Sequence, residues 1–132
     1  MVINSRIKIL LTIALIASSF IVNAQTHKSS YKKQELDYLT VSYIEITPLR
    51  NKKANTKAKK LSKIQTQEFI KTWNKTIAET PCGTNFTYVV SVYFQDYSKK
   101  EFFLEKSKLS DNKTNCLDTK DSNYADKLFK GK

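Results

Sequence analysis

The stretch NFTYVVSVYFQDY at residues 85–97 decides the fold of this chain. Its apolar side chains recur at every second position, at Phe86, Tyr88, Val90, Val92 and Phe94. Strict alternation of this kind is typical of a β-strand with one buried face. The opposite face carries Val89, Tyr93 and Tyr97 among polar residues. The pattern therefore predicts a strand over residues 85–97 whose second face is also partly apolar.

A second strand is predicted directly after it, over residues 101–109 (EFFLEKSKL). The short gap between the two indicates an antiparallel hairpin, although the turn lacks an Asn-Gly pair. A turn centred on Lys99 would place Phe94 opposite Leu104. The same symmetry would bring Cys82 and Cys116 together beyond the open end of the hairpin.

These two cysteines are the only ones in the chain. An even pair in a small secreted domain is typical of a disulfide, and closing a loop of about 33 residues would stabilise the fold by about 3–4 kcal/mol. The alternative is half of a zinc site, which would need further ligands. The only histidine, His27, lies in a predicted flexible segment. We therefore expect a Cys82–Cys116 disulfide, no metal and no cofactor.

The remaining elements are less strongly patterned. Residues 36–49 (LDYLTVSYIEITPL) are rich in β-branched and aromatic side chains and predict a strand. Apolar residues fall on both of its faces, which indicates either a bulge near Ser42 or burial on both sides. Residues 51–60 have no apolar stripe and are predicted to form an exposed loop or a frayed helical lead-in, and residues 110–120 are predicted to form a polar loop.

Two helices are predicted. Ser62 and Gln65 have the spacing of a capping box, and a helical apolar face follows before Thr80-Pro81, at Ile64, Phe69, Ile70, Trp73 and Ile77. This pattern predicts a helix over residues 63–79, and residues 121–130 (DSNYADKLFK) predict a short terminal one. The expected order is β-α-β-β-α. It indicates an α+β fold, in which one amphipathic helix packs across a small antiparallel sheet.

The N-terminus has the pattern of a secretory signal peptide. Arg6 and Lys8 precede an apolar run at residues 9–22, and small residues lead to a cleavage site after Ala24. The run is shorter than the roughly 20 residues of a membrane-spanning helix, which favours cleavage over anchoring. We expect a signal peptide at residues 1–24, a flexible lead-in at 25–35 and one domain at 36–132, secreted or periplasmic.

Positive charge is concentrated in one segment. The formal net charge is +11, and seven basic residues occur without an acid at Arg50, Lys52, Lys53, Lys57, Lys59, Lys60 and Lys63. This basic segment is either a footprint for an anionic partner or a solvated loop. Nucleic acid is disfavoured as the partner, because the nearest aromatic residues, Tyr43 and Phe69, read as structural.

The sequence contains no recognisable catalytic motif. With a single histidine, most acid–base mechanisms are excluded, and the two glycines, Gly83 and Gly131, cannot form a phosphate-binding loop. A carboxylate pair of the glycosidase kind would have to come from scattered acids. Those acids, which also read as solvated surface charge, are Glu68, Glu79, Asp96, Glu101 and Glu105.

The second sheet face is the other candidate surface. If one helix covers the sheet, an aromatic-rich patch for protein or glycan recognition remains, formed by Val89, Tyr93, Tyr97 and Phe103. Other parts of the chain could equally cover it. The sequence thus predicts a small, non-catalytic binding protein whose partner is a protein, a glycan or an anionic envelope component. The alternative is a carboxylate-dependent hydrolase of envelope or extracellular polysaccharide.

Overall fold

The computed structural model describes residues 31–49 and 57–131, and the fold belongs to the unit Gln34–Lys132. Residues 31–33 are part of a separate unit. The predicted signal peptide and its cleavage site lie outside the described residues and stay predictions. Within the described ranges, no helix has the length and apolar character to cross a membrane.

One antiparallel sheet of seven strands and two α-helices make up the described part of this unit. The strands are β1 (Val41–Pro48), β2 (Lys59–Lys60), β3 (Glu79–Thr80), β4 (Tyr88–Phe94), β5 (Lys99–Glu105), β6 (Lys108–Ser110) and β7 (Cys116–Asp118). The helices are α1 (Lys63–Lys75) and α2 (Tyr124–Lys130). The strand order is β2-β1-β4-β5-β6-β7-β3. The α+β class is confirmed, whereas the predicted β-α-β-β-α order omits several short strands.

The core lies between one face of the sheet, here the inner face, and the helices. Six inner-face side chains are fully buried: Ile44, Ile46, Val90, Val92, Phe102 and Leu104. From α1, Phe69 and Trp73 pack edge-on against Phe102, with ring centroids 5.4 and 4.7 Å away. From α2, Phe129 stacks on Tyr88 of β4 at 5.1 Å. Both helices therefore cover the same side of the sheet.

A bulge in β1 explains why its apolar residues fall on both faces. Val41 pairs with Phe94 and Tyr43 pairs with Tyr93, so Ser42 is an extra residue on β1. The bulge turns Val41 toward the core and Tyr43 toward the opposite face. Of the two alternatives that the sequence left open, the bulge near Ser42 is the one observed.

The turn between β4 and β5 lies earlier than predicted. Leu104 pairs with Tyr88 rather than with Phe94, and the amide of Phe94 closes the turn by donating to the Ser98 carbonyl at 2.9 Å. The Asp96 carboxylate accepts hydrogen bonds from the amide and the hydroxyl of Ser98. An aspartate side chain can thus organise a turn that lacks an Asn-Gly pair.

The predicted second strand is in fact a hairpin. β5 ends at Glu105, the chain reverses at Lys106 (φ 53°), and β6 pairs back on β5. The segment 110–120, predicted as loop, contains β7, whose Leu117 pairs with Leu109. Strands of three residues are too short to show an alternating pattern, so β6 and β7 could not be predicted from the sequence.

Helix α1 begins as predicted and ends earlier. The capping box is confirmed: the Gln65 amide donates to Ser62 Oγ at 3.2 Å and the Ser62 amide to Gln65 Oε1 at 3.0 Å. The helix ends at Lys75 rather than at residue 79, with the Thr76 hydroxyl bonded to the Thr72 carbonyl at 2.6 Å. Ile77 is consequently 82% exposed. Near the C-terminus, α2 begins at Tyr124 and ends at Lys130, and Gly131 caps it with a φ of 76°.

The Cys82–Cys116 disulfide is confirmed, with Cα atoms 5.1 Å apart. The predicted hairpin symmetry does not explain it. β3 pairs with β7 so that Thr80 lies opposite Cys116, which brings the nearby Cys82 within reach. A disulfide fits an extracellular or periplasmic protein.

Hydrogen bonds from α1 fix the backbone at Gln34 and Leu36, where the unit begins. The Trp73 indole donates to the Gln34 carbonyl at 2.8 Å. The Asn74 side-chain amide exchanges two hydrogen bonds with the backbone of Leu36, each 2.8 Å long. Ordered contacts therefore reach back to Gln34, inside the predicted lead-in, whose residues 25–30 lie outside the described ranges.

Candidate functional site

The face of the sheet opposite the helices, here the outer face, carries a cluster of aromatic side chains. Strand alternation turns Tyr43, Val89, Tyr93 and Phe103 away from the core. All four are only partly buried. The rings of Tyr43 and Tyr93 stack with centroids 4.5 Å apart, and Phe86 packs against Phe103 at 5.8 Å. The outer face thus presents two aromatic pairs.

Lysines lie over both pairs. Lys60 Nζ is 5.0 Å from the centroid of the Tyr43 ring, and Lys113 Nζ is 4.4 Å from that of Phe103. Both distances are within the range of a cation–π contact. The pKa of Tyr43 is raised, chiefly by desolvation and to a lesser extent by the charges of Glu45 and of the Tyr93 hydroxyl.

Two carboxylates lie between the aromatic pairs. Glu45 pairs with Ser91 across β1 and β4, and Ser91 pairs with Glu101 across β4 and β5. Directly opposed residues share a face of the sheet, so the three side chains form one row. The outer face therefore has flat rings at its two ends and hydrogen-bond acceptors in its middle.

The structure brings together three of the four residues that the sequence named for this face. Val89, Tyr93 and Phe103 are on it, whereas Tyr97 lies in the β4–β5 turn with φ 69° and is 98% exposed. The sequence missed Tyr43, because only the bulge places it there. It also missed Phe86, which alternation assigned to the inner face although it precedes the start of β4.

The described lysines of the basic segment do not form one patch. Lys59 and Lys60 are successive residues of β2 and point to opposite sides of the sheet. Lys60 lies beside Tyr43, whereas Lys59 Nζ donates to the Phe129 carbonyl at 2.7 Å. Lys57 and Lys63 are exposed, and Arg50, Lys52 and Lys53 lie outside the described residues.

A groove between α1 and α2, the interhelix groove, lies in the helical layer. Its volume is about 900 Å³. Five lysines and two acids contribute to its lining: Lys59, Lys71, Lys75, Lys127, Lys130, Glu68 and Asp121. Asp121 and Lys127 form an ion pair of 3.1 Å. Hydrogen bonds from the Asn123 amide and then from Lys127 lower the pKa of Asp121.

The acids that the hydrolase alternative needs are mostly at the surface. Glu68, Glu79, Asp96 and Glu101 are exposed, and hydrogen bonds from Ser98 lower the pKa of Asp96. Glu105 differs, because its Oε2 is buried against Gly83 and has no hydrogen-bond partner within the described structure. Among the described residues, no three His, Cys, Asp or Glu side chains cluster as metal ligands would.

Comparisons with protein-family models, with curated proteins and with solved structures find no match to this chain. The outer face and the interhelix groove are therefore the surfaces from which a function can be inferred.

Proposed function

We propose that the protein is a non-catalytic binding module that works outside the cytoplasm and holds an envelope or extracellular partner against its outer face. The observation that carries this proposal is the partly exposed Tyr43–Tyr93 stack on a sheet whose two helices both pack on the other side. Exposed aromatic clusters of this kind are enriched at recognition surfaces.

The chemistry of the outer face favours a glycan. A sugar ring offers an apolar face of C–H groups and a rim of hydroxyl donors. The flat aromatic rings of the outer face can stack on the C–H face of a sugar. The ionised carboxylates of Glu45 and Glu101 can accept hydrogen bonds from its hydroxyl groups. The disulfide and the predicted signal peptide support a location where such partners occur.

Affinity capture with matched variants tests the proposal. The oxidised protein is immobilised, exposed to glycan and protein fractions of the envelope and culture medium, and eluted with increasing salt. We expect a glycan to be retained through high salt, and Tyr93→Ala to weaken retention about tenfold or more, as truncation of a central aromatic contact does. Ile77→Ala is the control, because Ile77 is an apolar residue that is 82% exposed and does not line the interhelix groove. Equal retention by both variants would contradict the proposal, and a retained protein in place of a glycan would correct the partner class.

A second candidate is contact with an anionic surface through the basic segment. Its support is the run of seven basic residues without an acid, of which Lys57 and Lys63 are exposed. Elution at moderate salt would identify this mode, because exposed charge interactions are screened. The polysaccharide hydrolase stays an alternative prediction that no observation on the described residues favours.

A further inference from the structure

The interhelix groove has the size and chemistry of a ligand site that is separate from the outer face. Its volume of about 900 Å³ is near the upper end of the range of small-molecule sites, and a single phosphate or sulfate would fill only a small part of it. Besides lysines, its lining includes hydroxyl and amide groups from Ser62, Gln65 and Thr72. It lies in the helical layer, whereas the aromatic pairs lie on the reverse of the sheet.

The positive charge of the groove is arranged on both of its walls. On α1, Lys71 and Lys75 are one helical turn apart and therefore lie on the same side of the helix. On α2, Lys127 and Lys130 are three residues apart and also neighbours. Five lysines against two acids leave a positive excess, and the Lys127–Asp121 pair neutralises one of the acids.

Three of these lysines are available for a ligand. Lys71, Lys75 and Lys130 are exposed and make no ion pair or hydrogen bond with other described residues. Lys59, in contrast, is held by the Phe129 carbonyl, and Lys127 by Asp121. The fixed cation of Lys59 and these three exposed lysines thus surround one cavity of mixed polar and apolar lining, an arrangement that attracts a ligand with several negative groups.

We propose that the interhelix groove binds a short anionic oligomer, a chain that carries several phosphate or sulfate groups. Lys71 and Lys75 contact it from α1 and Lys130 from α2, while the fixed cation of Lys59 maintains the positive potential between them. The site does not depend on the proposed function of the outer face.

Calorimetric titration of the whole oxidised protein tests the proposal with two probes, inorganic tripolyphosphate and a fully sulfated tetrasaccharide. The groove variant combines Lys71→Gln, Lys75→Gln and Lys130→Gln. The control variant combines Lys99→Gln, Lys106→Gln and Lys120→Gln, three exposed lysines that lie outside both the groove lining and the basic segment. Both variants lose three positive charges, so any effect of net charge alone is equal in the two.

We expect saturable binding of one probe per protein at physiological salt, weakened about tenfold in the groove variant and less than about threefold in the control. The probe that binds more tightly identifies the source as an oligophosphate or a sulfated glycan. Tyr93→Ala should leave this binding unchanged, so failure of the outer face and failure of the groove are distinguishable. Absence of binding by both probes, equal weakening of both triple variants, or weakening of the control alone would overturn the proposal. Circular dichroism of each variant verifies that it is folded.

Discussion

The hydroxyls of Tyr88, which packs against α2, and of Tyr124, the first residue of α2, differ in their hydrogen bonding. The Tyr88 hydroxyl donates to Asp126 Oδ1 at 2.8 Å. The Tyr124 hydroxyl is buried and has no hydrogen bond of normal geometry within the described structure. Burial raises the pKa of Tyr124, and the nearby Thr72 side chain partly opposes this rise. A satisfied hydroxyl stabilises a fold, whereas a buried unsatisfied one destabilises it.

Removing each hydroxyl should therefore change stability in opposite directions. We expect Tyr88→Phe to lower the free energy of unfolding by about 1 kcal/mol, and Tyr124→Phe to leave it unchanged or raise it by up to about 1 kcal/mol. Urea unfolding at pH 7 measures both, with Tyr97→Phe as a control for loss of an exposed hydroxyl. A larger loss in Tyr124→Phe than in Tyr88→Phe would contradict this assignment.

The contribution of Tyr88 should also depend on pH. Burial, followed by the hydrogen bond to Asp126 and its charge, raises the pKa of Tyr88 from 10.0 to about 12. Between these values the folded protein keeps a proton that the unfolded chain has lost, so stability falls as the pH rises.

The stability difference between the wild type and Tyr88→Phe should consequently be constant below about pH 10 and shrink toward pH 12. Measuring the unfolding free energies of both proteins from pH 7 to pH 12 tests this prediction. The titration of the lysines is the same in the two proteins and cancels in the difference. A difference that stays constant up to pH 12 would show that Tyr88 ionises normally.

At the scale of elements, the β4–β5 turn contains a strained position. Tyr97 has a φ of 69°, a conformation that costs an L-residue about 1–2 kcal/mol and glycine little. Its side chain is almost fully exposed and contributes little packing.

Tyr97→Gly should raise the free energy of unfolding by about 0.5–1 kcal/mol, after allowance for the greater flexibility of glycine in the unfolded chain. Tyr97→Ala removes the same ring without relieving the backbone, so we expect no gain from it. Thermal and urea unfolding of the two variants provide the comparison. A gain in both would assign the effect to the ring rather than to the backbone.

The elements that could be predicted from sequence are those whose pattern is local and long. β4 shows several periods of alternation, and α1 begins with a capping box. β2 and β3, with two residues each, have no period to detect. The end of α1 could not be predicted either, because the chain leaves the helix at Thr76 through an extended backbone (φ −78°, ψ 119°) and not at a glycine or proline.

At the scale of the whole molecule, the disulfide ties the β3–β7 edge of the sheet. It closes a loop with a sequence separation of 34 residues. The double variant Cys82→Ala, Cys116→Ala should lower the free energy of unfolding by about 3–4 kcal/mol, chiefly because the unfolded chain gains conformational freedom. Denaturant unfolding of the variant and of the oxidised wild type measures the loss. A loss below about 1 kcal/mol would mean that the strand pairing alone holds this edge.

The candidate sites could be predicted only in part, because they are assembled across elements. Alternation within one strand indicated Val89 and Tyr93. The stack with Tyr43 required the bulge, and the interhelix groove required the relative placement of α1 and α2, which no local pattern encodes. The basic segment was visible as a run of charge, but the alternation of β2 separates Lys59 from Lys60.

Hydroxyl-radical footprinting can show whether a partner covers the outer face. The oxidised protein is labelled alone and in the presence of the envelope fraction that it retains, and modification rates are compared residue by residue. We predict slower modification of Tyr43, Tyr93 and Phe103, with an unchanged rate at Ile77, which is exposed outside this face and outside the interhelix groove. Protection of Ile77 with unchanged rates at the aromatic residues would contradict the proposed function.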